Sequence, residues 1–165
     1  MATQRWKASQ DFHDELIKLI GANHPKLVGI CDDIVIIFKE KCSRIDGVLQ
    51  LGRISKASPI LEVLGERPFK YVIELGYDGF QRLEEEQKLA LLDHLLCHVG
   101  ATEDEANGEM KYHSRTPDIC YFSENRERYG DWYPILRDEE TTADGEKKEK
   151  VPHNQKQENL FDDEE

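Results

Sequence analysis

The sequence predicts one α+β domain followed by an acidic end segment. Apolar residues recur at helical spacing near the start of the chain and again in its second half, and three short runs rich in β-branched residues lie between them. The order helix, strands, helix, helix is typical of an α+β domain rather than of a wound parallel sheet. A chain of 165 residues accommodates one such domain with a modest core.

The first predicted helix begins after Ser9, whose hydroxyl can accept a hydrogen bond from a free backbone N–H of the first turn. It ends near Gly21. Its apolar face is formed by Phe12, Leu16, Leu19 and Ile20. Glycine and proline then separate three strand candidates, at residues 33–38, 48–54 and 69–75. These strands predict a short three-stranded sheet.

Two further helices are predicted after the strands. The first covers residues 83–99 and stops at Gly100, a residue type common just beyond a helix end. Its apolar side consists of Leu89, Leu92, Leu95, Leu96 and Val99. The second covers residues 118–129, between Pro117 and Gly130.

Charge is concentrated at the end of the chain. The formal net charge is −12, and residues 138–165, with eleven acidic and four basic side chains, contribute −7 of it. This segment has too little apolar surface to offset the entropy cost of ordering, so we predict a disordered acidic tail after a domain at residues 8–137. Because phosphates repel such a charge, direct nucleic-acid binding is not expected.

The sequence also predicts the cellular location of the protein and the redox state of its cysteines. No apolar segment approaches the roughly 20 residues that span a bilayer, and no secretion signal is recognisable at the start. We therefore expect a cytoplasmic protein without membrane contact. The four cysteines are widely spaced, which predicts reduced thiols rather than disulfides.

The strongest candidate for chemistry is a pair of histidines in the central helix. His94 and His98 are four residues apart, so their side chains project from one face of the helix and can bind a single zinc ion. The alternative is a pair of half-buried histidines that only form hydrogen bonds with their neighbours.

The segment 88–98, KLALLDHLLCH, resembles the motif of the putative phage metallopeptidase family, which reads approximately ALLDHELCH. The resemblance extends over about residues 10–135. It also includes the segments HPKL at 24–27, LGR at 51–53, YVIE at 71–74, DI at 118–119 with Phe122, and RYGDW at 128–132. It implies a minimal zincin-like fold with a zinc-dependent peptidase site.

One departure from that motif concerns the general base. In zincins the residue after the first histidine is a glutamate, which accepts the proton of the zinc-bound water. Here that residue is Leu95, which has no group that can accept a proton. The resemblance therefore implies a family member without the catalytic glutamate, and hydrolysis by the usual route is not expected.

The third metal ligand is left open by the sequence. Family members read approximately HDxEEF before the last helix, whereas residues 117–122 read PDICYF. His113 lies just upstream and Cys120 stands at the position of the first glutamate, so either could complete a zinc site with His94 and His98. Cys97 is one residue, roughly 100°, off their helix face and is not a predicted ligand.

A second motif lies in the tail. Residues 157–161, QENLF, resemble the QxxLF peptide with which bacterial proteins bind the sliding clamp. This resemblance implies that Gln157, Leu160 and Phe161 contact such a partner, with the Leu-Phe pair entering an apolar pocket. The alternative is a solvated acidic end without a partner.

Three functions remain open from the sequence. The first is a non-hydrolytic binding protein that modulates a host replication or defence protein, with or without zinc. The second is an active zinc peptidase in which Asp93 or another carboxylate such as Glu124 replaces the missing base. The third is an acidic mimic of nucleic acid that occupies a groove on another protein.

Overall fold

The computed structural model describes residues 2–64, 68–117 and 121–137. The helices are α1 (Gln10–Asn23), α2 (Pro59–Leu64), α3 (Tyr77–Phe80), α4 (Glu85–Cys97) and α5 (Ser123–Tyr129), with a 3-10 helix at Pro25–Asp33. The strands are β1 (Arg5–Lys7), β2 (Ile34–Lys39), β3 (Ser43–Ile45), β4 (Val48–Gln50), β5 (Gly52–Lys56), β6 (Tyr71–Gly76), β7 (Val99–Glu103) and β8 (Met110–Ser114). The predicted α+β class is confirmed.

The main sheet has four strands in the order β1, β2, β6, β5, so the predicted number of three is wrong. β2 and β6 are parallel, and the two outer strands run antiparallel to their neighbours. Strand β1 was missed because it spans only three residues, Arg5 to Lys7, which have no apolar alternation. The predicted strand at 48–54 is divided at Leu51: its first part pairs with β3 in a separate hairpin, and its second part joins the main sheet.

One face of the main sheet forms the core with α1 and α4. Ile36 and Ile54 flank Ile73 in the strand register, and all three side chains pack on this face. Leu16 and Ile20 of α1, each fully buried, pack into the same core. Since side chains alternate along a strand, the residues between these belong to the opposite face.

Helix α1 agrees with its prediction at the start and extends slightly further at the end. The Ser9 hydroxyl accepts a hydrogen bond from the backbone N–H of Phe12 at 3.4 Å. The helix continues through Gly21 to Asn23, and the N–H of His24 binds the Ile20 carbonyl. This extension has a consequence for the site, because it places Asn23 and His24 beside α4.

Helix α4 is buried over a wider arc than the predicted stripe. It begins after Glu84, which forms reciprocal hydrogen bonds with Gln87, and it ends at Cys97. Leu91 is buried, whereas Leu89, predicted to be on the apolar side, is 38% exposed. The polar side chain of Asp93 is fully buried instead, so the periodicity of leucines alone misplaced one edge of the buried face.

A hairpin of β7 and β8 follows α4 directly and was not predicted. Its sequence is rich in Glu, Asp and Asn and lacks the alternation of apolar residues that indicates a strand. Gly100 lies opposite His113 in the hairpin, and a Cβ at residue 100 would collide with the imidazole ring. Glycine is therefore required there by a close contact within β7. The predicted helix end at Gly100 is wrong, since α4 already ends at Cys97.

The last helix is shorter in the structure than predicted. Helix α5 begins at Ser123, and it ends before Gly130, whose φ of 67° suits glycine. Residues 118–120, the predicted first turn, lie outside the described residues. So does the predicted tail at 138–165.

Two other expectations concern membranes and cysteines. None of the helices among residues 2–64, 68–117 and 121–137 has the length and apolar character needed to cross a bilayer. Cys31, Cys42 and Cys97 are free thiols. Cys120 is not among the described residues.

We predict opposite effects for alanine at two glycines. A Cβ at residue 52 would lie 2.8 Å from Leu75 Cδ2, 3.1 Å from Leu95 Cδ1 and 3.2 Å from the Glu74 carbonyl, so Gly52→Ala should lower the free energy of unfolding by about 1–3 kcal/mol. Gly21→Ala adds a methyl group in open space within α1 and should raise it by about 0.5–1 kcal/mol. Urea denaturation measures both, and equal effects would contradict the packing of β5 against α4.

Candidate metal centre

The predicted histidines line a cavity of about 170 Å³ between α4 and the outer strand β5. Its walls are Gly52, Arg53 and Ile54 on the strand side, Leu91, His94, Leu95 and His98 on the helix side, and Tyr133. The four helix residues are spaced at i, i+3, i+4 and i+7, which explains why they share one face. The structure thus brings both predicted histidines and Leu95 into one site.

The two imidazole rings are close and perpendicular to each other. Their centroids are 5.1 Å apart with an interplanar angle of 89°. The fully buried Phe122 contacts both rings, at 5.4 Å from His94 and 4.8 Å from His98. This phenyl ring restricts the orientations of both histidines from the side of α5.

A hydrogen bond fixes the tautomer of His98. Its Nδ1 lies 3.1 Å from the backbone carbonyl oxygen of Arg115, at the end of the β7–β8 hairpin. A carbonyl can only accept, so Nδ1 carries the hydrogen, and in the neutral ring the lone pair is on Nε2. This arrangement is typical of metal-binding histidines, whose second nitrogen donates to a carbonyl or carboxylate.

His94 is held in its neutral form. Burial lowers its pKa to about 4, the charge of His98 adds to this effect, and the nearby Asp93 carboxylate opposes it. A neutral imidazole has a free lone pair, so a metal ion would not have to displace a proton near neutral pH. Both histidines therefore have the chemistry of zinc ligands.

Leu95 lies in the same cavity as the histidines, at the sequence position where a zincin has its base. Its side chain is 2% exposed and packs against Gly52 of β5. None of the side chains that line the cavity, among the residues described, is a carboxylate. Within the described part of the chain, the walls consequently provide two imidazoles but no acidic group that could take a proton from water.

Asp93, the residue before His94, is directed away from the cavity into a buried polar cluster. Its carboxylate accepts hydrogen bonds from Asn23 Nδ2 at 3.2 Å and His24 Nε2 at 2.7 Å. On the other side it binds Asn125 Nδ2 at 2.7 Å and the Arg128 guanidinium at 3.1 and 3.3 Å. One carboxylate thus connects α4 to the end of α1 and to α5.

A second layer of hydrogen bonds supports this cluster. Asn125, 1% exposed, also donates to the Ala90 carbonyl of α4 at 3.0 Å. Its side-chain oxygen accepts from Trp132 Nε1 at 2.7 Å. Every polar group of the Asn125 amide is therefore used, which fixes the position of α5 relative to α4.

The surroundings of Asp93 do not favour it as a replacement base. Burial by itself raises its pKa, but the hydrogen bonds from His24, Asn125 and Arg128 outweigh this effect and lower the pKa to about 2. A carboxylate held so firmly in its charged form is a poor proton acceptor near neutral pH. Glu124 is also engaged: it binds Arg115 Nη1 at 2.8 Å, and its pKa is lowered although burial raises it.

Of the other two predicted ligands, His113 does not join the pair. His113 is exposed on β8, where its ring covers Gly100. Cys120 lies outside the described residues. No third His, Cys, Asp or Glu within residues 2–64, 68–117 and 121–137 stands close enough to His94 and His98 to share an ion with them. The third ligand therefore stays a prediction.

A different group of three potential ligands occurs on the other side of α4. The side chains of His24, Asp93 and Cys97 offer ligand atoms within 4.8 Å of one another. The Arg128 guanidinium already binds Asp93 and lies 3.9 Å from the Cys97 sulfur. Because this fixed positive charge opposes a second cation, the group is better explained as a structural ion-pair cluster than as a metal site.

The sequence did not reveal the partners of Asp93. His24 and Arg128 stood in segments that resemble the family, but no role was assigned to them, and Asn125 was not singled out. A usable signal was the aspartate itself: a carboxylate among leucines in a buried helix requires several donors from other elements. It could not indicate which donors these were.

Comparison with known families identifies the family of the chain. The model of the family described as Putative phage metallopeptidase matches residues 4–144, and the chain belongs to this family. Membership implies a metal-binding protein of the metallopeptidase type, with zinc as the common metal. No curated protein and no solved structure matches the chain significantly.

We predict that Asp93→Ala strongly destabilises the fold. It would leave Arg128, His24 and Asn125 without their acceptor in a buried position, and loss of one partner of a buried ion pair costs about 3–5 kcal/mol. The matched control is Asp131→Ala, which removes an exposed ion pair with Arg126 and should cost at most about 1 kcal/mol. Thermal and urea unfolding compare the two; similar losses would refute the role of Asp93.

Proposed function

We propose that this protein is a zincin-like, zinc-binding member of its family that does not hydrolyse peptides and acts by binding another protein. The mixed sheet, the outer strand beside the cavity and the two-histidine helix support a zincin-like arrangement. The observation that carries the proposal is Leu95, buried in the cavity wall between the two histidines.

Zinc binding is supported by the state of the two imidazoles. His98 presents Nε2 as its lone-pair nitrogen, and His94 is neutral well below pH 7. When bound, zinc would lower the pKa of a coordinated water and polarise a carbonyl group. Of the two third ligands that the sequence suggested, Cys120 is proposed, because His113 does not lie close enough to the pair.

Absence of hydrolysis follows from the groups around the pair. A general base contributes about 10²-fold to 10⁴-fold in rate, and it must lie within hydrogen-bond distance of the water it activates. Leu95 cannot accept a proton. Asp93 faces α1 and α5, and Glu124 is paired with Arg115. The alternative of an active peptidase with a different carboxylate therefore has no suitable residue among those described.

We predict that zinc content depends on both histidines. The purified protein should contain stoichiometric zinc, and His94→Ala and His98→Ala should each lose it, as measured by elemental analysis. His13→Ala is the matched control, since His13 contacts the Ile34 carbonyl outside the cavity. Retention of zinc by both cavity variants would refute the site. Loss of zinc in Cys120→Ser, but not in His113→Ala, would identify the third ligand.

Introducing a carboxylate at residue 95 tests whether the missing general base explains the proposed lack of hydrolysis. Leu95→Glu places a carboxylate beside the two histidines, and we expect metal-dependent peptide cleavage to rise by about 10²-fold or more over the natural chain. Leu95→Gln is the control of the same shape, which cannot take a proton and should remain inactive. Robust metal-dependent cleavage by the natural chain would overturn the proposal.

The partner proposed here is a host replication or defence protein. The sliding clamp is the specific candidate, because residues 157–161 resemble its binding peptide and place Leu160 and Phe161 in a strongly polar segment. An acidic mimic of nucleic acid is less well supported, since most of the excess negative charge belongs to residues 138–165 rather than to the preceding domain.

Clamp binding should depend on the two apolar tail residues. We predict that the full chain binds a bacterial sliding clamp and that replacing Leu160 and Phe161 with alanine abolishes binding, as measured by calorimetry. Replacing Asp162 and Asp163 with asparagine serves as the control and should leave most of the affinity, because the apolar pocket supplies it. Equal binding by both variants would exclude this motif.

A further inference from the structure

The second face of the main sheet carries a basic surface. Strand register places Lys7, Ile37, Glu74 and Arg53 in one cross-strand row, and it places Arg5 beside Lys39 in the next. These side chains point away from the core, because their neighbours along each strand pack into it. We call Arg5, Lys7, Lys39 and Arg53 the basic face.

Positive charge is in excess on this face. Arg5 and Arg53 both bind the single carboxylate of Glu74, at 3.2 Å each, and their side chains remain 52% and 72% exposed. If Glu40, which follows Lys39 in the chain, is counted as well, the four cationic side chains of the basic face have two carboxylates beside them. Such an excess stands out in a chain of net charge −12 and favours a negatively charged occupant.

The last described residue lies near this face. Arg137, the last described residue, pairs with Val48 of β4, and the N–H of Leu49 binds the Leu136 carbonyl at 2.8 Å. Two residues further along β4, Gln50 lines a small cleft together with Lys39, Arg53 and Glu74. Two residues of a strand span about 7 Å, so Arg137 lies within about that distance of Gln50 at the border of the basic face. Because the Val48–Arg137 bridge is antiparallel, the chain runs away from Gln50 at this point, and the following residues have to turn back to reach the face.

We propose that residues 138–165 dock on the basic face of their own domain. The segment has a formal net charge of −7, which is opposite in sign to the excess charge of the face. Its first three residues, 138–140, are all acidic and follow Arg137 directly. The face is about 15 Å wide across its four strands, and an extended chain gains about 3.3 Å per residue, so the segment is long enough to cover it.

Tethering favours this segment over a separate acidic partner. A covalently attached ligand acts at an effective concentration in the millimolar range. Contacts that are individually weak are therefore sufficient to hold the segment on the face. Nucleic acid is a less favourable occupant, because the remaining charge of the chain repels phosphates. Docking would prevent other polyanions from binding to the basic face. The domain and a separate partner would then compete for residues 157–161. This inference is independent of the histidine site.

Lysine reactivity tests the docking directly. In the full chain at low salt, acetylation of Lys7 and Lys39 should be slow, and it should become about fivefold faster when all eleven tail carboxylates are replaced by amides, which corresponds to roughly 1 kcal/mol. Lys111, which pairs with Asp104 on the β7–β8 hairpin, is the internal control and should not change. The difference should vanish near 1 M salt, where the screening length is about 3 Å.

The reciprocal experiment removes the cations instead. Lys7→Gln with Lys39→Gln should speed tryptic cleavage after Lys147 and Lys148 at low salt, whereas Lys111→Gln should not. Equal acetylation in the natural and amide-tail chains, or a change of the same size at Lys111, would overturn the proposal. The proposal would also be overturned if Lys7 and Lys39 of the natural chain were protected from acetylation only after double-stranded DNA is added.

Discussion

The arrangement of this domain depends on one buried carboxylate. Asp93 is fully buried in α4 and receives hydrogen bonds from the end of α1 and from α5. Because burying a charge without partners costs several kcal/mol, these three elements are stable only in an orientation that satisfies it. That orientation fixes the rotation of α4 about its axis. The opposite face, with His94 and His98, is thereby directed into the cavity beside β5.

A buried carboxylate therefore lies on one side of α4, and the two histidines lie on the other. The segment around the first histidine contains an aspartate that supports the fold and a leucine at the position where a zincin motif has a glutamate. A carboxylate only two residues before Leu95 does not compensate, since it is nearly 200° away around the helix and saturated with donors. Residues close in sequence can thus belong to unconnected environments.

Sequence reasoning succeeded where the signal was local. Ser9 capped α1 as expected, and helical spacing placed both histidines on one face. It failed where the cause was non-local: β1 is a strand only because β2 offers it a partner, and the β7–β8 hairpin is held by pairing rather than by apolar alternation. The donors around Asp93 come from residues about 30 and 70 positions away, a pairing that no spacing rule reveals.

The β7–β8 hairpin also separates the orientation of His98 from changes at the hairpin tip. At its base, His98 and Arg115 exchange two hydrogen bonds: the Arg115 N–H binds the His98 carbonyl, and the His98 ring binds the Arg115 carbonyl. The orientation of this imidazole is thus set at the closed end of the ribbon, several residues from its tip at 104–109. An insertion at that tip would therefore lengthen the ribbon without rotating the ring.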